Sequence, residues 1–177
     1  MSRTRRHLLL GSLLLVGTTL VGCAGWRLTT AARLAKQSVP FEQSPAQPTR
    51  RLLVVGDSTA VGTGASSPAN SVAGRIAEAH PTWVITNRAQ DGARIAAVVR
   101  QLQEASGGHD VVLVMAGGND VIRLTSFDDW RRDLSAALRI ARERGREVVV
   151  MPCGNVGHAP FFWPPLSWWM SARSQQL

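Results

Sequence analysis

The chain has 177 residues, which suits one ordinary α/β domain and is too short for two. Apolar residues make up 45% and charged residues 18%, which excludes a disordered chain, a collagen-like repeat and a coiled coil. Lysine and arginine number 20 against 12 acidic residues, for a formal charge of +8. Part of this excess lies in an N-terminal segment and the other cations are scattered, so we expect no nucleic-acid partner.

Residues 1–22 have the pattern of an export signal. Arginines within residues 3–6 precede an apolar run over residues 8–21, which is short for a membrane span of about 20 residues. Residues 20–23, Leu-Val-Gly-Cys, resemble the bacterial lipobox. That resemblance implies a lipid anchor on Cys23 and an exported domain in the cell envelope, on the periplasmic side of a bacterial membrane. The alternative is an uncleaved signal anchor that runs on to Trp26.

Residues 23–49 are predicted to form a tether. Residues 24–36 suit a short helix, and the stretch that follows is polar and contains three prolines at 40, 45 and 48, as linkers do. The folded domain is therefore expected to span residues 50–177.

Within this domain, short apolar runs alternate with amphipathic segments. Strands are predicted at residues 52–55, 83–86, 111–115 and 148–151, and each reads as a strand buried on both faces. Helices are predicted near residues 70–80, from residue 95, and from a Ser126 cap to Gly145. This alternation predicts an α/β fold with a parallel sheet and helices on both faces.

Ligands of such sheets bind at the carboxyl ends of the strands, where three polar loops are expected. These loops are residues 56–59 after the first strand, 87–92 after the second and 117–120 after the third. Ser58 can supply a nucleophilic hydroxyl. The backbone N–H groups of Ser58 and Gly92, with the Asn119 amide, can supply three donors to an oxyanion.

Gly56-Asp57-Ser58 near the domain start, Gly92 after the second strand and Gly117-Gly118-Asn119-Asp120 after the third resemble the SGNH/GDSL hydrolase family. The resemblance covers roughly residues 50–165. It implies a flavodoxin-like three-layer fold and ester hydrolysis through an acyl-enzyme. Ser58 matches the nucleophile, and Gly92 and Asn119 match the oxyanion hole. Asp57 and Asp120 match motif neighbours that shape the loops.

The family's general base comes from an Asp-x-x-His motif near the C-terminus, and no such motif occurs in these 177 residues. His158 follows the fourth strand, at the edge of the sheet where the three polar loops lie, but Asn155 and not an aspartate stands three residues before it. Three explanations stay open. The chain is C-terminally incomplete, lacking the last strand and helix; or it is a member that binds without cleaving; or His158 is a substitute base.

The predicted function is a serine ester hydrolase that acts on an acyl or acetyl ester through an acyl-enzyme. This 177-residue chain itself is expected to be inactive, because the Asp-x-x-His motif is absent. The alternative is a non-catalytic envelope lipoprotein that binds acyl or acetylated-glycan groups in the same cleft. Expected partners are a small-molecule, glycan or lipid ester and a membrane, reached through the anchor. No cluster has the ligand spacing of a zinc site, so neither metal nor cofactor is expected, and Cys153 reads as a small buried hydrophobe.

Overall fold

The computed structural model describes residues 22–23, 25–26, 29–30, 33, 37–160 and 162–177. Two compact units make up the chain, Met1–Lys36 and Gln37–Leu177. In the first unit the described residues are helical, and Cys23 is exposed. The predicted export signal lies outside the described residues except for Gly22. Within the described part, no helix has the length and apolarity needed to cross a membrane.

The second unit is built on a sheet of four parallel strands in the order β2-β1-β3-β4. The strands are β1 Arg50–Gly56, β2 Trp83–Asn87, β3 His109–Ala116 and β4 Gly145–Pro152. All four lie where the apolar runs predicted them. Because the strands are parallel, their carboxyl ends meet at one edge of the sheet, and the three polar loops leave from that edge.

Among the described residues of this unit, six α-helices and two short 3-10 helices connect and follow the strands. The α-helices are α1 Ser58–Val61, α2 Val72–Ala79, α3 Ile95–Glu104, α4 Gly118–Ile122, α5 Phe127–Arg144 and α6 Leu166–Ser174. The 3-10 helices are Pro68–Asn70 and Val156–His158. Serine side chains cap two of the three predicted helices. Ser71 Oγ accepts from Gly74 N at the start of α2, and Ser126, the predicted cap, accepts through Oγ from Asp129 N at the start of α5, both at 3.1 Å.

Alternate residues of the central strands pack into two separate hydrophobic cores, one on each face of the sheet. Leu52 and Val54 of β1 pack with residues of α1 and α2, including Ala60 and Ala77. Leu53 and Val55 point the other way, into the core formed with α3 and α5. The flavodoxin-like three-layer arrangement predicted from the sequence is confirmed.

The folded unit begins earlier than the predicted boundary at Arg50. Gln43 forms an antiparallel bridge with Ile85 of β2, with backbone bonds of 3.0 and 2.9 Å, and Phe41 packs against the core. The residues around Gln43 therefore lie along the outer edge of β2, and only the part before Gln37 falls in the other unit.

The prediction that every strand is buried on both faces is wrong for β4. Val149 and Val150 are 48% and 44% exposed, and Met151 is 37% exposed. The physical reason is position, because β4 is an edge strand that pairs with β3 alone among the described residues. Only Val148 of this apolar run packs into the core shared with α3 and α5.

Candidate active site

The turn from β1 into α1 is held rigidly at the carboxyl edge of the sheet. Gly56 has a φ of +148°, and a Cβ there would lie 2.0 Å from the Met115 carbonyl oxygen, so this position requires glycine. Gly56 N donates to Gln101 Oε1 at 2.8 Å, and Gln101 Nε2 donates to Gly56 O at 3.0 Å. Asp57 N donates to Met115 O at 3.0 Å. These bonds fix where the next residue, Ser58, begins α1.

Asp57 is the N-cap of this short helix and is itself buried. Its Oδ1 accepts from Thr59 N at 2.9 Å, and the Asn119 side chain lies near its carboxylate. Burial raises the pKa of Asp57; the interactions with Thr59 and Asn119 oppose this shift, and the charge of Asp120 adds to it. Asp57 therefore connects the loop that carries Ser58 to the loop that carries Asn119.

A cavity of about 450 Å³ opens beside this turn. It brings together four of the predicted site residues, namely Asp57, Ser58, Asn119 and His158. Its apolar wall comes mainly from β3, β4 and the segments that follow them. The residues of that wall include Met115, Ile122, Met151, Pro152 and Val156. The cavity has room for a short acyl group beside the Ser58 hydroxyl.

Asn119 is the second residue of α4, which begins directly after β3. Gly117 caps this helix with a φ of +126°, and a Cβ there would lie 3.3 Å from Cys153 Sγ. The glycine thus lets the loop turn sharply against the segment after β4, which brings the Asn119 amide to the cavity wall.

Gly92 lies on the neighbouring loop and does not line the cavity. Gln90 N donates to Gly56 O at 3.1 Å, and Thr63 Oγ1 donates to Asp91 Oδ1 at 2.5 Å. These bonds hold the loop against the β1–α1 turn. Gly92 has a φ of +73°, and a Cβ there would lie 3.2 Å from Arg123 Nη2, so an arginine side chain stands at this glycine.

Asp120 is buried below the site and also does not line the cavity. Its Oδ2 accepts from Ile95 N, and its Oδ1 accepts from Thr125 Oγ1, both at 3.0 Å. Asp120 therefore joins the end of the Gly92 loop, where α3 begins, to α4. Asn87 makes a similar link, since its Nδ2 donates to Ala60 O at 2.9 Å and its Oδ1 accepts from Ala89 N at 3.0 Å.

His158 is the imidazole at the cavity, and the side chain facing it is an amide. Asn155 Nδ2 lies 3.5 Å from His158 Nε2, and Asn155 Oδ1 accepts from Gly157 N at 2.9 Å. An amide carries no charge with which to stabilise an imidazolium, whereas the carboxylate of an Asp-x-x-His pair does. Asn155 and His158 have the three-residue spacing of such a pair, but the first residue is an amide and not an acid.

Cys153 lines the same cavity but has the character of an inert thiol. Burial raises the pKa of the Cys153 thiol, and the charges of Asp57 and Asp120 raise it further. The thiolate, which is the nucleophilic form of a cysteine, is therefore disfavoured at Cys153. Across the described residues, no group of histidines, cysteines and acids could hold a metal ion.

Sequence reasoning missed Gln101 and Arg123. Gln101 is 4% exposed and lies on the buried side of α3 beside Val98 and Leu102. A polar residue on this otherwise apolar helix face is the feature of the sequence that could have identified it. Arg123 had no such signal, because its position beside Gly92 depends on how two distant loops pack.

Comparison with known proteins gives one family and a set of solved structures. The family model described as the GDSL-like Lipase/Acylhydrolase family matches residues 54–177. No curated protein matches the sequence.

The solved structures share the fold at low sequence identity. Axe2, an acetylxylan esterase from Geobacillus stearothermophilus, is 18% identical with a TM-score of 0.53, over 73% of this chain and 70% of that one. A lipolytic protein of the G-D-S-L family from Veillonella parvula is 14% identical with a TM-score of 0.54, over 71% and 69%. TesA is 23% identical with a TM-score of 0.55, over 72% and 70%.

Proposed function

This chain belongs to the GDSL-like lipase/acylhydrolase family, a family of ester hydrolases, and from that premise we propose that it cleaves esters through an acyl-enzyme on Ser58. The observation that carries the proposal is the cavity in which the Ser58 hydroxyl and the Asn119 amide meet beside an apolar wall. Its volume of about 450 Å³ favours a short acyl or acetyl ester.

In the proposed reaction, Ser58 Oγ bonds to the carbonyl carbon as its proton passes to a base, and the carbonyl oxygen becomes an oxyanion. The Asn119 amide and the Ser58 N–H, which belong to residues lining the cavity, are the assigned donors to that oxyanion. The family resemblance adds the Gly92 N–H, whose loop would have to approach the cavity when an ester binds. Loss of one such donor typically costs about 2.7–4 kcal/mol in barrier height. Collapse expels the alcohol with a proton, and water then releases the acid from Ser58.

His158 is the assigned base, because it is the imidazole that lines the cavity. Its partner is the Asn155 amide, so neither its orientation nor its positive charge is supported by a carboxylate. We therefore expect slow turnover, with acylation of Ser58 easier to observe than repeated hydrolysis.

The test is the reaction of the full chain with p-nitrophenyl acetate and with a fluorophosphonate, the latter followed by the mass of the labelled peptide. We expect a burst of p-nitrophenol and a label on Ser58, both absent in Ser58→Ala. Ser106→Ala is the matched control, since this exposed serine lies between α3 and β3, away from the cavity. Equal bursts in Ser58→Ala and the unmodified chain would refute the assignment.

The amide facing His158 also favours a second candidate, a protein that binds acyl or acetylated-glycan groups in the cavity without cleaving them. This candidate predicts that a short-chain ester binds equally well to the unmodified chain and to Ser58→Ala, with no burst in either. A Ser58-dependent burst would exclude it.

We also propose that the protein is exported and held at the cell envelope by a lipid on Cys23. The support is the Leu-Val-Gly-Cys pattern at residues 20–23 and the exposure of Cys23. Release of a Cys23→Ser variant into the soluble envelope fraction is the expected result. Membrane retention equal to that of the unmodified chain would favour the uncleaved signal anchor.

A further inference from the structure

A second concave surface lies at the opposite edge of the sheet, where the strands begin. It is a groove of about 630 Å³ formed by the start of β1, the start of β3 and the junction of α5 with β4. We call it the arginine groove after its most common side chain. The residues that line it are Arg51, Gly108, His109, Asp110, Arg142, Glu143, Arg144, Gly145 and Arg146.

Positive charge exceeds negative charge in this groove. Four arginines face two acids, which leaves a formal excess of +2 with His109 neutral. The carboxyl end of α5 contributes the equivalent of about half a negative charge. The excess therefore remains positive after the helix is counted.

Both acids of the groove already have partners. Asp110 accepts from Arg51 N at 2.9 Å and lies 3.8 Å from the Arg146 guanidinium. Glu143 pairs at 3.0 Å with Arg139, which lies outside the groove. Neither acid is therefore available to neutralise the remaining arginines.

The arginines of the groove differ in whether their guanidinium groups already form hydrogen bonds within the protein. Arg144 donates to the carbonyl oxygens of Leu102 and Gln103 at 3.1 Å, which ties α5 to the end of α3. The guanidinium groups of Arg51 and Arg142, by contrast, make no hydrogen bond or ion pair with any described residue. Two exposed guanidinium groups that share a groove can both bond to a tetrahedral oxyanion.

His109 adds an independent sign of an incomplete site. Its Nδ1 is buried and lacks a hydrogen-bond partner among the described residues. Buried polar atoms are normally satisfied, so such an atom calls for a specific explanation. Burial lowers the pKa of His109 and the charges of Arg51 and Arg144 lower it further, whereas the nearby Arg144 backbone and the charge of Asp110 raise it. The other charged residues of the groove are Arg142, Glu143 and Arg146.

We propose that the arginine groove binds a phosphate-type oxyanion through Arg51 and Arg142, remote from the catalytic cavity. The anion supplies the negative charge that the groove lacks. The phosphate belongs either to a soluble molecule or to a lipid headgroup, and the same groups recognise both. This inference does not depend on Ser58 chemistry.

The first test is titration of the full chain with inorganic phosphate at constant ionic strength, followed by NMR of the histidine imidazoles. His109→Gln assigns the resonance. We expect a saturable shift of the His109 signal and a higher His109 pKa, because the anion offsets the arginine charges. Arg51→Gln and Arg142→Gln should each weaken the apparent Kd about tenfold, the loss expected for one charge-assisted hydrogen bond.

Two further variants keep the test decisive. Arg100→Gln removes the same charge from an exposed position on α3 outside the groove and should leave the Kd unchanged. Arg142→Lys should retain part of the affinity. A His109 signal that does not saturate with phosphate, or an Arg100→Gln effect equal to that of Arg142→Gln, would overturn the proposal.

Vesicles distinguish the two sources of phosphate. Phosphatidylcholine vesicles with and without phosphatidylglycerol are sedimented with the unmodified chain and with Arg51→Gln/Arg142→Gln. Binding that needs phosphatidylglycerol, is lost in the double variant and competes with inorganic phosphate identifies a lipid headgroup. Saturable phosphate binding without this vesicle dependence identifies a soluble phosphate.

Discussion

Replacing Gln101 by leucine should destabilise the fold by removing a contact at the base of the catalytic turn. The Gln101 amide bonds to both backbone groups of Gly56, at 2.8 and 3.0 Å, and its side chain is 4% exposed. In Gln101→Leu the Gly56 carbonyl keeps one donor, because Gln90 N lies 3.1 Å from it. The Gly56 N–H is left without an acceptor, because Gln101 Oε1 is the acceptor it has in the unmodified chain.

The expected cost follows from that single unsatisfied group. A buried N–H without a partner costs about 1–3 kcal/mol, a large share of the roughly 5–15 kcal/mol that stabilises a typical domain. The assay is urea unfolding of the full chain followed by circular dichroism, with hydrogen exchange at the Gly56 amide as a local readout. We expect a lower free energy of unfolding and faster exchange at Gly56.

Gln103→Leu is the matched control, since this exposed glutamine lies two residues along the same helix. It makes the same chemical change without removing a buried bond, so its effect should be small. If Gln101→Leu and Gln103→Leu had equal free energies of unfolding, the reasoning about the buried amide would be refuted.

Three further predictions concern the site. Gly56→Ala should prevent folding, because its Cβ would lie 2.0 Å from Met115 O, whereas Gly64→Ala meets no atom within 4 Å and should cost only about 1–2 kcal/mol through its positive φ; comparable thermal melts would contradict this. The raised pKa of Asp57 means that the folded state binds its proton more tightly, so the free energy of unfolding should fall as pH rises from the ordinary value of 3.8 through the raised one. Asp57→Asn keeps the oxygen that accepts from Thr59 N and should flatten this fall in urea titrations at several pH values; parallel curves would show that Asp57 is not its source. Asn155→Asp puts a carboxylate where the amide now lies 3.5 Å from His158, and should raise Ser58-dependent hydrolysis of p-nitrophenyl acetate; an unchanged rate would argue against His158 as the base.

The sheet was predictable because each strand is a continuous apolar run, and such a run needs a two-sided core. The prediction failed at β4 because an apolar run looks the same at an edge as in the centre, and exposure of Val149 and Val150 depends on which strand has a neighbour. The tether prediction ended too late for a similar reason, since the bridge between Gln43 and Ile85 joins segments far apart in sequence.

Within the site, the residue types were predictable and their surroundings were not. Glycines and polar residues after the strands pointed to Ser58 and Asn119, which the structure places on one cavity. The helices that carry them are four and five residues long, too short to show periodicity. Asp57 and Asn119 likewise come from two loops whose proximity only the fold determines.

The two outer strands of the sheet differ in a way that bears on the opening of the cavity that Ser58 lines. The outer side of β2 is bridged by the chain's own Gln43, whereas β4 offers its outer backbone groups to a further strand. Met151 and Pro152 of β4 also form part of the cavity wall. Any strand that docks on β4 would thus become a boundary of the cavity that Ser58 lines, so sheet extension and the opening of that cavity would depend on the same few residues.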